Sequence, residues 1–241
     1  MTSTVTTSAP VVERASPVEV LNTDLARLAT HVHSALLLTA YYLGFQYLVA
    51  DPVEALWISL PVLAAVQIAY AVLCLPAAGP AGAKTPKKPA SRRKSSAANG
   101  SLNTKIVHAL LSTLLSSVMG VPTLTVVMIL FGAPLTTHLT HTILAACHFT
   151  LLAVLPLTYV LGVDGPRWRD AIAAMLPLDE VFGATLGCFV GAWLGAVPIP
   201  LDWDREWQRW PITIVTGAYG GYVCGKLIGG YAVKGKRIEF D

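Results

Sequence analysis

Along this chain, long uncharged apolar stretches are separated by short polar joints. Six stand out, at about 32–50, 55–76, 106–132, 137–162, 181–197 and 212–232. None has the strict alternation of a half-buried strand, and each approaches the length that carries a helix across about 30 Å of hydrocarbon. Backbone in lipid must satisfy its own hydrogen bonds, so the pattern predicts an all-α, polytopic membrane protein with about six transmembrane helices. The stretch at 181–197 is the shortest, near the lower limit for crossing. No Asp or Glu lies inside any of the six. That argues against transporters and proton pumps, whose pathways use intramembrane ionisable groups.

The last two stretches carry a second period. VFGATLGCFVGAWLG places Gly183, Gly187, Gly191 and Gly195 four residues apart, and GAYGGYVCGKLIGG repeats the spacing with Gly217, Gly221, Gly225 and Gly229. Glycine weakens an isolated helix by about 1 kcal/mol relative to alanine, so this regularity needs a reason. Bare ridges let helix backbones approach closely, which matters in lipid because apolar burial does not drive helices together there. The two helices are separated by a short loop and are expected to pack as an antiparallel, glycine-ladder hairpin. Gly220 and Gly230 widen the small surface of the second helix and leave room for another protein.

Composition sharpens the class. Of 241 residues 54% are hydrophobic and 13% charged, against roughly 25% charged in soluble domains. Of the 17 Lys and Arg, 14 fall in the N-tail, the loops after the second and fourth stretches, and the C-tail; Arg205 and Arg209 lie opposite. The positive-inside rule makes the first side, with both termini, cytoplasmic. Lys226 falls within the sixth stretch, about 9 Å from its cytoplasmic end, within snorkelling reach. The order expected is a disordered cytoplasmic N-tail (1–30), helices one and two (31–76), a basic disordered cytoplasmic linker (77–105), helices three to six (106–232) and a cytoplasmic C-tail (233–241). The linker is rich in Pro, Ala, Lys and Ser and lacks apolar periodicity. Its RRKSS segment would lose positive charge on phosphorylation of Ser95 or Ser96, or could attract anionic headgroups.

Catalytic patterns are scarce. Cys74, Cys147, Cys188 and Cys224 are scattered without C-x-x-C spacing and read as reduced thiols buried in lipid or in the core. His138, His141 and His148 share one helical face, where interhelical hydrogen bonding fits better than a metal site lacking further ligands. Asp164 opens VDGPRWRDA, which has the start of a CDP-alcohol phosphotransferase signature without its Ala-Arg pair or later aspartates, and reads as a turn. The segment PIPLDWDREWQRWP, 198–211, is denser. An extended chain would put Asp202, Asp204 and Glu206 on one face, with Trp203, Trp207 and Trp210 at interfacial height. Arg205 and Arg209 lie among the carboxylates, so metal binding or catalysis is disfavoured there. The segment reads as an aromatic anchor, or as a docking loop formed by Pro198, Pro200, Asp202, Trp203, Asp204, Arg205, Trp207 and Trp210. No catalytic, metal or cofactor residues are assigned, and no nucleic-acid partner.

The C-terminal third resembles the phosphatidylinositol-glycan class F (PIG-F) family. The residues that carry the likeness are GAWLGAVPIPLDW followed by WQRWP, about a quarter of the chain with the flanking glycine pattern. Spans one to four agree in number, hydropathy and order. Glu206 departs from a position where many members have proline, and the basic linker resembles a lineage-specific insertion. The resemblance implies a non-catalytic accessory subunit, multi-pass in the endoplasmic reticulum membrane. Its partners would be the large GPI ethanolamine phosphate transferase subunits, whose catalytic domains lie in the lumen, together with membrane lipid. Two other classes stay open: a phosphotransferase using Asp202, Asp204, Glu206, Arg205 and Arg209, and a lipid carrier or scramblase with a polar groove lined by Ser112, Ser116, Ser117 and the histidines.

The topology has a built-in test. Asn99-Gly100-Ser101 is a glycosylation sequon on the side assigned to the cytoplasm. Glycosidase treatment of the native protein is expected to leave its mobility unchanged; a glycan on Asn99 would invert the orientation.

Overall fold

The structure, a computed structural model, describes residues 15–79, 102–201 and 203–239. Among these the fold is all-helical: α1 (Asp24–Ala50), α2 (Pro52–Cys74), α3 (Leu102–Leu130), α4 (Leu139–Phe149), α5 (Leu155–Leu161), α6 (Gly165–Ile172), α7 (Glu180–Gly195) and α8 (Ile212–Leu227). A π turn, Thr150–Val154, joins α4 to α5, and another, Ile228–Ala232, extends α8. Pro156 has no N–H for a regular bond back to residue 152, and the π register accommodates it. Most of the linker, including RRKSS and Asn99, lies outside the described residues, as do residues 1–14.

Among the described residues four helices are long and apolar enough to cross a membrane: Pro52–Cys74, Leu102–Leu130, Leu139–Leu161 and Glu180–Leu201. The first and last of the six expected stretches fall short of that standard. α1 carries His31, His33, Gln46 and three tyrosines, and α8 is short with glycines in place of large apolar side chains.

α1 also begins earlier than the apolar pattern indicated. Thr23 caps it by accepting the Ala26 N–H at 3.1 Å, so residues 24–30, expected in a disordered tail, are helical. Residues 15–23 are fastened to the core rather than loose: Leu21 N–H donates to the Cys74 carbonyl at 2.8 Å and Val18 N–H to Asp179 at 2.7 Å. The C-tail is held too. Leu178 and Gly235–Lys236 exchange two backbone hydrogen bonds of 2.7 Å, and Arg237 donates to the Met175 and Ala15 carbonyls.

The α4–α5 rod is the hub. It is largely buried, packed by α2, α3, α7 and α8. α3 meets it along Ala109, Ser112, Ser116 and Gly120, a stripe of small residues, and leaves its other faces exposed. A Cβ on Gly120 would lie 2.9 Å from the Thr150 methyl, so the approach is close. Ser112 and Ser116 are therefore buried packing residues; Ser116 Oγ donates to the Thr113 carbonyl of its own helix.

α7 starts at Asp179, whose Oδ1 accepts the N–H groups of Val181 (2.9 Å) and Phe182 (2.8 Å) while Oδ2 holds Val18. Burial raises the proton affinity of this carboxyl, and the three backbone donors oppose that. From there α7 runs antiparallel to α8 with glycine against glycine. A Cβ on Gly187 would lie 2.7 Å from the Gly225 Cα, and one on Gly191 2.8 Å from the Gly221 Cα. The neighbouring carbonyl oxygens of Gly221 and Gly217 would be closer still. Gly183 meets Gly225 and Gly229 in the same way, and Gly195 meets Thr213 and Ile214.

These contacts generate two expectations for thermal unfolding of the purified protein. Gly187→Ala or Gly191→Ala forces backbone apart from backbone and should destabilise by about 1–3 kcal/mol, whereas Gly220→Ala, with open space around its Cβ, should be neutral or gain up to about 1 kcal/mol. Asp179→Ala should lose about 1–2 kcal/mol through the cap, and Asp179→Asn should retain most of it; equal losses for the two would rule out the capping role.

Candidate functional site

Close contact of α7 and α8 leaves a groove along one side of their seam. It encloses about 820 Å³ and runs from Pro198 and Trp207 at one end to Val233 and Ile238 at the other. All eight ladder glycines reach it, and Gly220, Leu186, Val190 and Leu194 form its outer walls. Gly220 faces open space, while Gly230 is covered by the Glu180 side chain, so only the former extends the free small surface.

The loop after α7 is folded rather than extended. Ile199–Leu201 and Glu206–Gln208 are 3-10 turns, and Asp204 has a positive φ of 50°, a left-handed conformation that Asp tolerates better than most residues. The extended run that would align Asp204 with Glu206 therefore does not form. Glu206 is ion-paired with Arg209, and Asp202 lies outside the described residues. Gln208 Nε2 donates to the Pro198 carbonyl at 2.7 Å, and Trp210 Nε1 donates to Thr142 Oγ1 at 3.2 Å. These bonds fix the loop against α4. Trp203, edge-on to Trp207 with ring centroids 5.9 Å apart, remains half exposed; Asp204, Arg205 and Pro200 are exposed beside it.

A buried polar group at the other end of the bundle has no counterpart in the sequence reading. Lys226 does not snorkel: it is 2% exposed, and its Nζ donates to the Thr30 carbonyl at 3.0 Å and to His33 Nδ1 at 3.2 Å. The ammonium also sits 4.0 Å from the centre of the Tyr70 ring. Thr30 bridges the charges, since its hydroxyl donates to Glu180 at 2.8 Å while its carbonyl takes Lys226. Gln67 and Tyr222 are fully buried beside His33. The physical cause is coverage: α1 begins early and passes over α8 where solvent would otherwise reach the ammonium. One signal was available, because Thr30 and His33, Gln67 and Tyr70, and Tyr222 and Lys226 each sit three or four residues apart on one helix face.

The three aligned histidines separate. His148 is buried; its Nε2 donates to the Leu56 carbonyl at 3.1 Å and its Nδ1 shares a hydrogen bond of 2.8 Å with the Tyr219 hydroxyl, joining α2, α4 and α8. His138 and His141 stack edge to face near the start of α4. All four cysteines are free: Cys74 and Cys188 lie in the core, Cys147 is half-buried, and Cys224 is on the outer surface at the groove. Asp164 caps α6 by accepting the Arg167 N–H at 3.3 Å, so the turn opens a short helix. Among the described residues no three His, Cys, Asp or Glu converge as a metal site.

Comparison with known proteins identifies the family. Residues 32–230 match the GPI biosynthesis protein family Pig-F. A glycosylphosphatidylinositol anchor biosynthesis protein 11 from Neurospora crassa is 48% identical over 222 residues, covering 92% of this chain and 81% of that protein. A protein of the same name from Aspergillus fumigatus is 42% identical over 260 residues, with 94% and 86% covered. The human GPI ethanolamine phosphate transferase, stabilizing subunit, is 39% identical over 108 residues, 43% of this chain and 49% of that protein. No solved structure matches. Similarity that runs through both the helical core and the glycine-bearing helices establishes that this chain belongs to the Pig-F family of GPI biosynthesis proteins.

Proposed function

We propose that the protein is a non-catalytic stabilising subunit of GPI ethanolamine phosphate transferases, acting in the endoplasmic reticulum membrane. In this reading all six apolar stretches cross the bilayer, α7 and α8 form a transmembrane hairpin, both termini are cytoplasmic, and the loop 198–211 faces the lumen. The names of its relatives support the accessory role. The observation that carries it is the groove along the α7–α8 seam, an apolar surface of backbone and small side chains running the length of both helices. Helices in lipid associate where small residues permit close packing. A transmembrane helix of the large subunit would lie in this groove, with the aromatic rim around Trp203 and Trp207 meeting its lumenal end.

The ladder glycines themselves are occupied within the chain, so the partner would contact the outer walls and Gly220. This separates two kinds of mutant. Gly220→Leu fills the groove without touching the α7–α8 contact, and should lower transferase recovery severalfold in affinity purification of the native complex while leaving abundance of this chain unchanged. Gly191→Leu should lower both. Equal transferase recovery with Gly220→Leu and wild type would exclude the groove as the interface. Purified chain that turned over a phosphoethanolamine donor without a large subunit would replace the accessory reading with an enzymatic one.

A further inference from the structure

A second groove lies between α1 and α2. Residues 36–50 of α1, the joint residue Asp51 and residues 54–66 of α2 wall it, His148, Val215 and Tyr219 floor it, and it encloses about 670 Å³. The α1 wall covers about 22 Å along the axis at 1.5 Å per residue, most of the depth of a bilayer core of about 30 Å.

Its polar atoms are already engaged. The His148 ring is bonded to Leu56 and Tyr219, the Tyr41 hydroxyl shares a 2.7 Å hydrogen bond with Thr216, and Ser59 Oγ donates to the Ala55 carbonyl at 2.7 Å. What faces the opening is aliphatic and aromatic carbon, with Gly44 leaving a gap where no heavy atom lies within 4 Å of a Cβ position. The volume falls within the roughly 300–1,000 Å³ of small-ligand sites.

One end of the groove is charged. Asp51 and Glu54 stand at the joint between α1 and α2, and both are exposed. Asp51 Oδ1 accepts the Val53 and Glu54 N–H groups at 3.0 Å each. Neither carboxylate forms an ion pair with a Lys or Arg among the described residues. Tyr47, whose carbonyl accepts the Asp51 N–H, is exposed one turn along the same wall. Two carboxylates and an aromatic face attract an ammonium and repel a phosphate-terminated anion.

We infer that this groove binds a membrane glycerophospholipid whose headgroup ends in an ammonium, with an acyl chain between α1 and α2 and the ammonium at Asp51, Glu54 and Tyr47. The site shares no lining residue with the α7–α8 groove and does not depend on the partner proposed for it.

The test uses the full chain in vesicles containing equal phosphatidylethanolamine and phosphatidylglycerol, each doped in turn with its acyl-diazirine analogue. Mapped crosslinks from the ethanolamine probe should fall on residues 36–44 and 58–66, severalfold above those from the glycerol probe, while the exposed face of α3 labels equally with both. Asp51→Asn with Glu54→Gln keeps a capping side chain at position 51 and should reduce the preference to about one-to-one without lowering total crosslinking. Gly44→Leu should lower crosslinking from both probes in the groove. Equal labelling by the two lipids in the wild type would overturn the inference. So would a groove that labels no more than α3, or one crosslinked in the native complex to a transferase helix instead of lipid.

Discussion

Between α7 and α8 there is almost nothing but backbone. In water such an interface would be weak, because it buries little side-chain surface. In a bilayer the apolar side chains gain nothing by leaving lipid, and close packing supplies the attraction instead. The glycine pairs set the distance between the two helices, and that distance fixes much else. It brings Gly229 against the Asp179 carbonyl at the start of α7, and it orients Tyr219, Tyr222 and Lys226 on the other side of α8 toward α1, α2 and α4.

Polar ties then join that pair to the rest of the bundle, each at a different depth. His148 links α2, α4 and α8 through one neutral ring with both nitrogens satisfied. Thr30 couples Glu180 on α7 to Lys226 on α8 from α1. Asp179 holds the first turn of α7 and the N-terminal segment with one carboxylate. Buried polar groups of this kind are costly unless paired, and once paired they specify one arrangement of helices among many apolar ones. A bundle whose outer faces are largely featureless apolar surface has few other means of fixing its register.

The two grooves follow from this construction. One exists because glycines on facing helices leave no side chains to fill the flank of their contact; the other lies where α1 and α2, joined by Asp51 alone, leave space above α4 and α8. They differ in chemistry: the first is walled by small and aliphatic residues over its length, the second ends in two exposed carboxylates.

Much of this was legible in the sequence. Apolar stretches fixed the helical class, since lipid leaves the backbone few alternatives, and the motif GAWLGAVPIPLDW with WQRWP carried the family likeness. The period of four in the glycines marked two bare ridges by local geometry alone. Only tertiary structure decided what those ridges touch, and it decided against local reading elsewhere. Lys226 sits near a helix end, where a chain considered by itself would let it reach water; a helix start at Asp24, fixed by Thr23, covers it instead. Asp204 and Glu206 alternate in sequence, but the loop turns between them and Arg209 claims the second. Spacing along one segment governs which side chains share a face. Which face is covered can depend on residues more than a hundred positions away, as Lys226 depends on Thr30, and no single-segment periodicity encodes such a contact.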